Sequence, residues 1–188
     1  TQMIKDDALK GVTSNPSIFE KAIGHGEDYD ELIRQAEAAG DVDPGALFEG
    51  LAVHDIQEGA DAMRPVYQQT QGRDGYISLE VSPYLAMQTH ETIEEARRLW
   101  RQVNRPNLMV KIPGTKPGIP AIRQMISEGR NTNVTLIFSL DRHAEVIEAY
   151  LSGLEAYEGD LSKVASVASF FISRVDTEVD RRLEGIGT

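Results

Sequence analysis

The chain has 188 residues, enough to bury a real core, and a single domain spanning 1–188 is the default. Its 30 acidic residues against 19 basic ones leave a net charge of −11, which argues against nucleic acid and anionic membranes as partners. Cysteine is absent, which excludes disulfide and thiolate chemistry and suits the cytoplasm; no signal peptide is read and no apolar run is long enough to span a bilayer. His25, His54, His90 and His143 are scattered and none falls in a metal-ligand spacing, so neither a metal nor a cofactor is expected.

Residues 1–10 read as the charged end of a helix. Gly11 to Pro16 is a strand that stops in an Asn-Pro turn. Helices follow over 17–23 and 27–39, then a break at Asp41-Val42-Asp43-Pro44-Gly45. The helical stretch 47–69 contains Pro65, which predicts a kink or two separate helices. A Gly-rich turn at 71–75 leads into a second strand over 76–81, ended by Ser82-Pro83. The helix over 89–103 has Ile93, Ala96, Leu99, Trp100 and Val103 on one stripe, with Thr92 as its candidate cap and Glu95 three residues on. Leu108 to Pro113 is the third strand. Pro120 opens the next helix and Gly129 closes it. A fourth strand runs over 133–139, Asp141 caps a helix to about 156, a fifth strand covers 164–172, and a last helix covers 175–183.

Alternating strands and helices predict an α/β protein with a parallel sheet. A doubly wound sheet and a (β/α)8 barrel both fit that order. The phase within the strands favours the barrel. Thr13 and Asn15 share a phase, as do Ser78 and Glu80 against Ile77, Leu79 and Val81. Asn133 and Thr135 stand against Val134, Leu136 and Phe138 in the same way, and Ser169 and Lys111 each add a polar group. A strand sandwiched between two helix layers is apolar on both faces. Polar groups recurring on one face imply a common interior lined for chemistry at the C-terminal strand ends.

Lys111 sits inside Leu108-Met109-Val110-Lys111-Ile112. A dry interior favours the neutral amine, and a neutral amine is a nucleophile. The plain alternative is a lysine that snorkels from a strand end to water. An interior lysine beside Glu80, Asn15, Asn133, Thr135 and Ser169 is what Schiff-base carbonyl chemistry requires. The amine adds to a ketone, loss of water gives an iminium, and the iminium draws electrons from the adjacent carbon–carbon bond. A carboxylate such as Glu80 moves the protons. Each partner has a structural reading as well: Asn15-Pro16 as a turn, Glu80 as a rim charge, Asn133 and Thr135 as backbone caps, Ser169 as packing, Arg174 as a surface residue.

Gly11-Val12-Thr13-Ser14-Asn15-Pro16-Ser17-Ile18-Phe19, Ser78-Leu79-Glu80-Val81-Ser82-Pro83, Val110-Lys111-Ile112-Pro113-Gly114-Thr115 and Asn133-Val134-Thr135-Leu136-Ile137-Phe138-Ser139 resemble, in the same order, the strand signatures of the transaldolase family. The resemblance implies a (β/α)8 barrel of the class I aldolase kind. It implies transfer of a dihydroxyacetone unit from a ketose phosphate, sedoheptulose 7-phosphate or fructose 6-phosphate, to an aldose phosphate in the pentose phosphate pathway. By this resemblance Lys111 matches the Schiff-base lysine and Glu80 the glutamate that works through a water. Asn15, Asn133 and Thr135 match active-site polar positions, and Ser169 and Arg174 match a serine and a phosphate-binding arginine. A planar guanidinium suits a phosphate, and an acidic chain needs one there.

The family carries a further strand, with a catalytic aspartate, before the strand at Gly11, and two more strands with a second arginine after the fifth. Asp6 and Asp7 lie in a charged helical stretch and are not assigned the aspartate's role. The expectation is therefore an incomplete barrel, lacking the first and last strands, that belongs to a longer polypeptide and is inactive alone. Two alternatives stand beside transaldolase. One is a fructose-6-phosphate aldolase, whose members carry glutamine where Glu80 stands; the other is a non-catalytic barrel fragment. The oligomeric state is not written in the sequence.

Overall fold

Among the described residues five strands pair in chain order and all in parallel: β1 (Gly11–Thr13), β2 (Tyr76–Glu80), β3 (Leu108–Pro113), β4 (Thr132–Ile137) and β5 (Ser166–Phe170). The computed structural model describes residues 2–25, 29–40 and 43–187. Its helices are α1 (Gln2–Asp6), α2 (Pro16–His25), α3 (Asp30–Ala39), α4 (Pro44–Gln69), α5 (Thr89–Val103), α6 (Gly118–Ser127), α7 (Leu140–Ala156) and α8 (Ile172–Gly185). Two 3-10 turns, Pro83–Leu85 and Leu161–Lys163, follow β2 and precede β5. The sheet curls into a half-barrel with helices on its convex side. Among the described residues no helix is long and apolar enough to cross a membrane.

Burial follows from the curl. The outward-facing residues of the central strands, Ile77, Leu79, Leu108, Val110, Ile112 and Val134, join Ala96, Leu99 and Val103 of α5 and Ile122 and Met125 of α6 in one core. Each fully buried Val, Leu or Ile there contributes about 1.5–3 kcal/mol. The edges differ. Every residue of β1 is exposed, and β5 leaves Val167 and Phe170 open to solvent. Helix α8 has no buried residue although Ile172, Val179 and Leu183 recur on it at helical spacing.

Most expected elements stand within a few residues of their predicted ends, and four local expectations are corrected. Helix α4 is continuous through Pro65, because Met63 and Val66 on either side bury their side chains and hold it together. Its cap is Asp43, whose carboxylate accepts from Ala46 N–H at 2.9 Å with Pro44 in the first turn; Asp41 and Val42 lie outside the described residues. Thr92 does not cap α5, which begins at Thr89; its hydroxyl donates instead to the carbonyls of Leu85 and Gln88. Asp141 lies in the first turn of α7, and Ser139 is the cap, accepting from Arg142 N–H at 3.2 Å. Helix α6 begins at Gly118, two residues ahead of Pro120. The predicted helix over 27–39 is seen from Asp30; Glu27 and Asp28 lie outside the described residues.

The expected alternation of β4 fails after Val134. Val134 pairs with Ala168 and Ile137 with Phe170, so Thr135 and Leu136 together oppose Ser169. That is a β-bulge. Leu136 carries it at φ +59°, in the left-handed region where a leucine costs roughly 1–2 kcal/mol. In consequence Ile137 turns into the core and Phe138 is pushed out to solvent, the reverse of the simple two-residue period.

Two buried asparagines clasp the opposite, N-terminal ends of the strands. Asn107 Nδ2 donates to the carbonyls of Ala60 and Gly75, and Asn131 Nδ2 to those of Pro106 and Leu108, while Asn131 Oδ1 accepts from Ala165 N–H. Gly75 sits at φ +83°, and a Cβ built on it would lie 2.3 Å from the Tyr67 backbone nitrogen. Neither strand nor helix can yield there without losing the Asn107 clasp. Gly75→Ala is therefore expected to destabilise the fold by about 3 kcal/mol, read as a lowered urea midpoint at unchanged slope. A change within experimental error would show that the α4–β2 junction is slack.

Candidate active site

Lys111 points into the concave side of the sheet, where its side chain is 6% exposed. An ammonium taken that far from water needs a partner. It has two: Glu80 Oε2 at 3.0 Å, and the Ser14 carbonyl, to which Nζ donates at 3.2 Å. Strand register explains the first. Glu80 and Lys111 are directly paired across β2 and β3, and Lys111 is paired in turn with Asn133 on β4. The side chain of Glu80 is 13% exposed, so both charges are largely desolvated. Removing either partner would leave the other uncompensated.

A second set of contacts runs across the same face. Asn133 Nδ2 donates to Ser78 Oγ at 3.0 Å, and Ser169 Oγ donates to Asn133 Oδ1 at 2.8 Å. Strands β2 and β4 are not neighbours; β3 lies between them. In a flat sheet they would be about 9.5 Å apart, so a bond between short side chains on them requires a concave face. The Lys111 contact to Ser14, from β3 to the residue after β1, makes the same demand.

Lys111, Glu80, Asn133 and Ser169 are thus brought together from four strands. Thr135 lies on the same strand as Asn133, is 1% exposed, and its hydroxyl has no hydrogen-bond partner among the described residues. Its carbonyl takes Gly114 N–H at 2.7 Å and so fixes the end of β3. A buried hydroxyl without a protein partner costs roughly 1–3 kcal/mol unless another group satisfies it. Asn15 lies beyond the end of β1, where its side-chain oxygen accepts from Ile18 N–H at 2.9 Å and caps α2. The turn reading of Asn15-Pro16 is therefore correct as far as that oxygen goes. Asn15 and Glu80 also line a cavity of about 530 Å3 under α2, α4 and α5, whose walls include Phe19, Phe48 and Leu99. On its rim, hydrogen bonds from Arg98 hold the Glu49 carboxyl below the usual range.

Arg174 is not in contact with this cluster. It lies in the first turn of α8 with its guanidinium 4.4 Å from the centroid of the Phe171 ring, and Phe171 stacks on Phe138 at 5.8 Å. No carboxylate pairs with it among the described residues. A ring face orients a guanidinium without using any of its N–H donors, so the fork stays available.

Ser14 and Ser78 belong to the cluster and were not singled out as site residues by sequence. Ser78 shares the phase of Glu80, which was the available signal. Ser14 gave none: β1 ends at Thr13, and alternation says nothing beyond a strand's end. Among the described residues no group of His, Asp or Glu side chains is arranged to hold a metal ion.

Residues 1–187 match the family model described as Transaldolase/Fructose-6-phosphate aldolase. The chain belongs to this transaldolase family. It is 52% identical over 188 residues to a transaldolase of Saccharopolyspora erythraea, covering 98% of this chain and 50% of that protein. It is 50% identical to transaldolases of Parafrankia sp. and Thermobifida fusca, each over 190 residues, covering all of this chain and 51% of either protein. The chain thus spans about half the length of these transaldolase relatives.

Proposed function

We propose that this chain carries the Schiff-base half of a transaldolase site. The observation that carries the reading is the Lys111–Glu80 pair, 3.0 Å apart and largely shut off from water. Glu80 takes the ammonium proton, and the freed Nζ lone pair adds to the keto carbon of a ketose phosphate. The carbinolamine loses its hydroxyl as water, with Glu80 returning the proton, directly or through a water at the unpartnered Thr135 hydroxyl. The resulting iminium accepts the electron pair of the carbon–carbon bond one position beyond it, the hydroxyl on the far carbon gives its proton to the aspartate that the family carries ahead of the strand at Gly11, an aldose phosphate leaves with that oxygen as its aldehyde, and the three-carbon unit stays on Lys111 as an enamine. Addition to a second aldose phosphate and hydrolysis complete the transfer. Asn133, fixed between Ser78 and Ser169, and Asn15 bind the hydroxyls of the bound unit. Arg174 binds the phosphate with the donors that Phe171 leaves free.

The open edges at β1 and β5 and the uncovered apolar residues of α8 fit a (β/α)8 barrel that further strands on both sides complete. On this reading residues 1–188 alone do not transfer, and the intact protein works on sugar phosphates in the cytoplasmic pentose phosphate pathway. Glu80 favours transfer over the simple cleavage also named in the family description. The test is a transfer assay on the intact protein. Sedoheptulose 7-phosphate formed from fructose 6-phosphate and erythrose 4-phosphate supports transaldolase. Dihydroxyacetone released without an acceptor supports the aldolase reading, and neither product excludes both.

A further inference from the structure

Ser78 is 3% exposed, yet it places a hydroxyl, not a methyl, on the interior face of β2, two residues before Glu80. Its two oxygens hold two different parts of the site. The hydroxyl accepts from Asn133 Nδ2 at 3.0 Å, and the carbonyl accepts from Ser14 Oγ at 2.7 Å. Ser14 in turn offers its own carbonyl to Lys111 Nζ at 3.2 Å. Ser78 is thereby joined directly to the asparagine and through one residue to the lysine.

We propose that Ser78 is a positioning residue for the Schiff-base site, its hydroxyl aiming the Asn133 carboxamide across the floor beneath Lys111. The inference rests on the transaldolase reading of Lys111 and Asn133. Asn133 is 3% exposed and makes one bond on each side: Ser169 donates to its oxygen, and it donates to Ser78. That leaves one amide N–H and one oxygen lone pair for a substrate hydroxyl. Without the Ser78 hydroxyl, the buried N–H facing β2 loses its acceptor, and the amide turns to find another. The remaining N–H then no longer lies where the bound three-carbon unit needs it. Geometry of this kind is felt in the rate when a side chain's support, not the side chain itself, is lost.

The test is a double-mutant cycle in the intact protein, with Ser78→Ala, Asn133→Ala and both together, read as kcat/KM for fructose 6-phosphate. Ser78→Ala is expected to lower kcat/KM roughly 10-fold while leaving Asn133→Ala unaffected on addition, so that the double variant stays within about 2-fold of Asn133→Ala alone. Thermal unfolding is followed in parallel. Losses that add independently, or a loss that disappears once the folded fraction is corrected for, would overturn the proposal. Should Ser78→Ala not fold, Ser78→Cys keeps the volume with a weak sulfur acceptor, and the same non-additivity is expected of it. Borohydride trapping on the unsubstituted protein separates the two levels. Trapping away from Lys111 would remove the underlying reading, whereas trapping at Lys111 with additive losses would remove only the role of Ser78.

Discussion

Lys111→Met removes transfer activity by at least about 10⁴-fold and abolishes borohydride-trapped adduct, if the amine is the covalent nucleophile. Methionine is unbranched like lysine and only one atom shorter, the amine itself being what is missing, so packing changes little. What is lost is the amine nitrogen placed beside Glu80, at 3.0 Å. No neighbouring residue can take over, because the other groups of the cluster are the amide of Asn133 and the hydroxyls of Ser78 and Ser169, which form no iminium. The substitution also leaves Glu80 without its cation, so a lowered melting temperature accompanies the lost activity. Circular dichroism keeps the two effects apart. A folded Lys111→Met protein with a tenth of the original rate would rule out covalent catalysis by this residue.

Glu80→Gln is the second large effect. Gln occupies nearly the same volume and still accepts a hydrogen bond from Lys111, but it neither takes nor returns a proton. General acid–base help from a positioned carboxylate is worth about 10²–10⁴-fold, so kcat for transfer is expected to fall by roughly that factor. Lys111 remains, so trapped adduct still forms, more slowly. The variant also tests the distinction within the family: transfer is expected to fall more than cleavage does. A kcat within 2-fold of the original would make the Lys111–Glu80 pair a structural ion pair only.

Much of the site was legible from strand phase. Ser78 with Glu80, the isolated Lys111, and Asn133 paired with it fall on one face because their strands alternate regularly there, and the curl of the sheet turns that face into an interior. Alternation stops being informative where the strand stops being regular. The bulge at Thr135 and Leu136 sends Phe138 to the surface, and nothing in a two-residue period foretells a leucine at φ +59°. Ser14 and Asn15 lie past the end of β1, where a turn and a helix cap, not pleating, decide direction. Pro65 does not divide α4 into two helices, one of the two outcomes that a proline there allows. A proline rule counts the lost N–H, but here the apolar contacts of Met63 and Val66 with the core outweigh it. Arg174 enters by resemblance alone, and the Phe171 ring it lies against stacks on Phe138, which that same bulge turns out.

The most direct test of the central claim is covalent trapping in the intact protein. Fructose 6-phosphate and borohydride are added, the protein is digested, and the peptide bearing the added mass is located by mass spectrometry. The predicted result is a reduced three-carbon adduct on the Nζ of Lys111, present with substrate and absent without it. An adduct on a different lysine, or none under conditions where the protein turns over, would contradict the Schiff-base mechanism and leave the Lys111–Glu80 pair as part of the curled sheet's architecture alone.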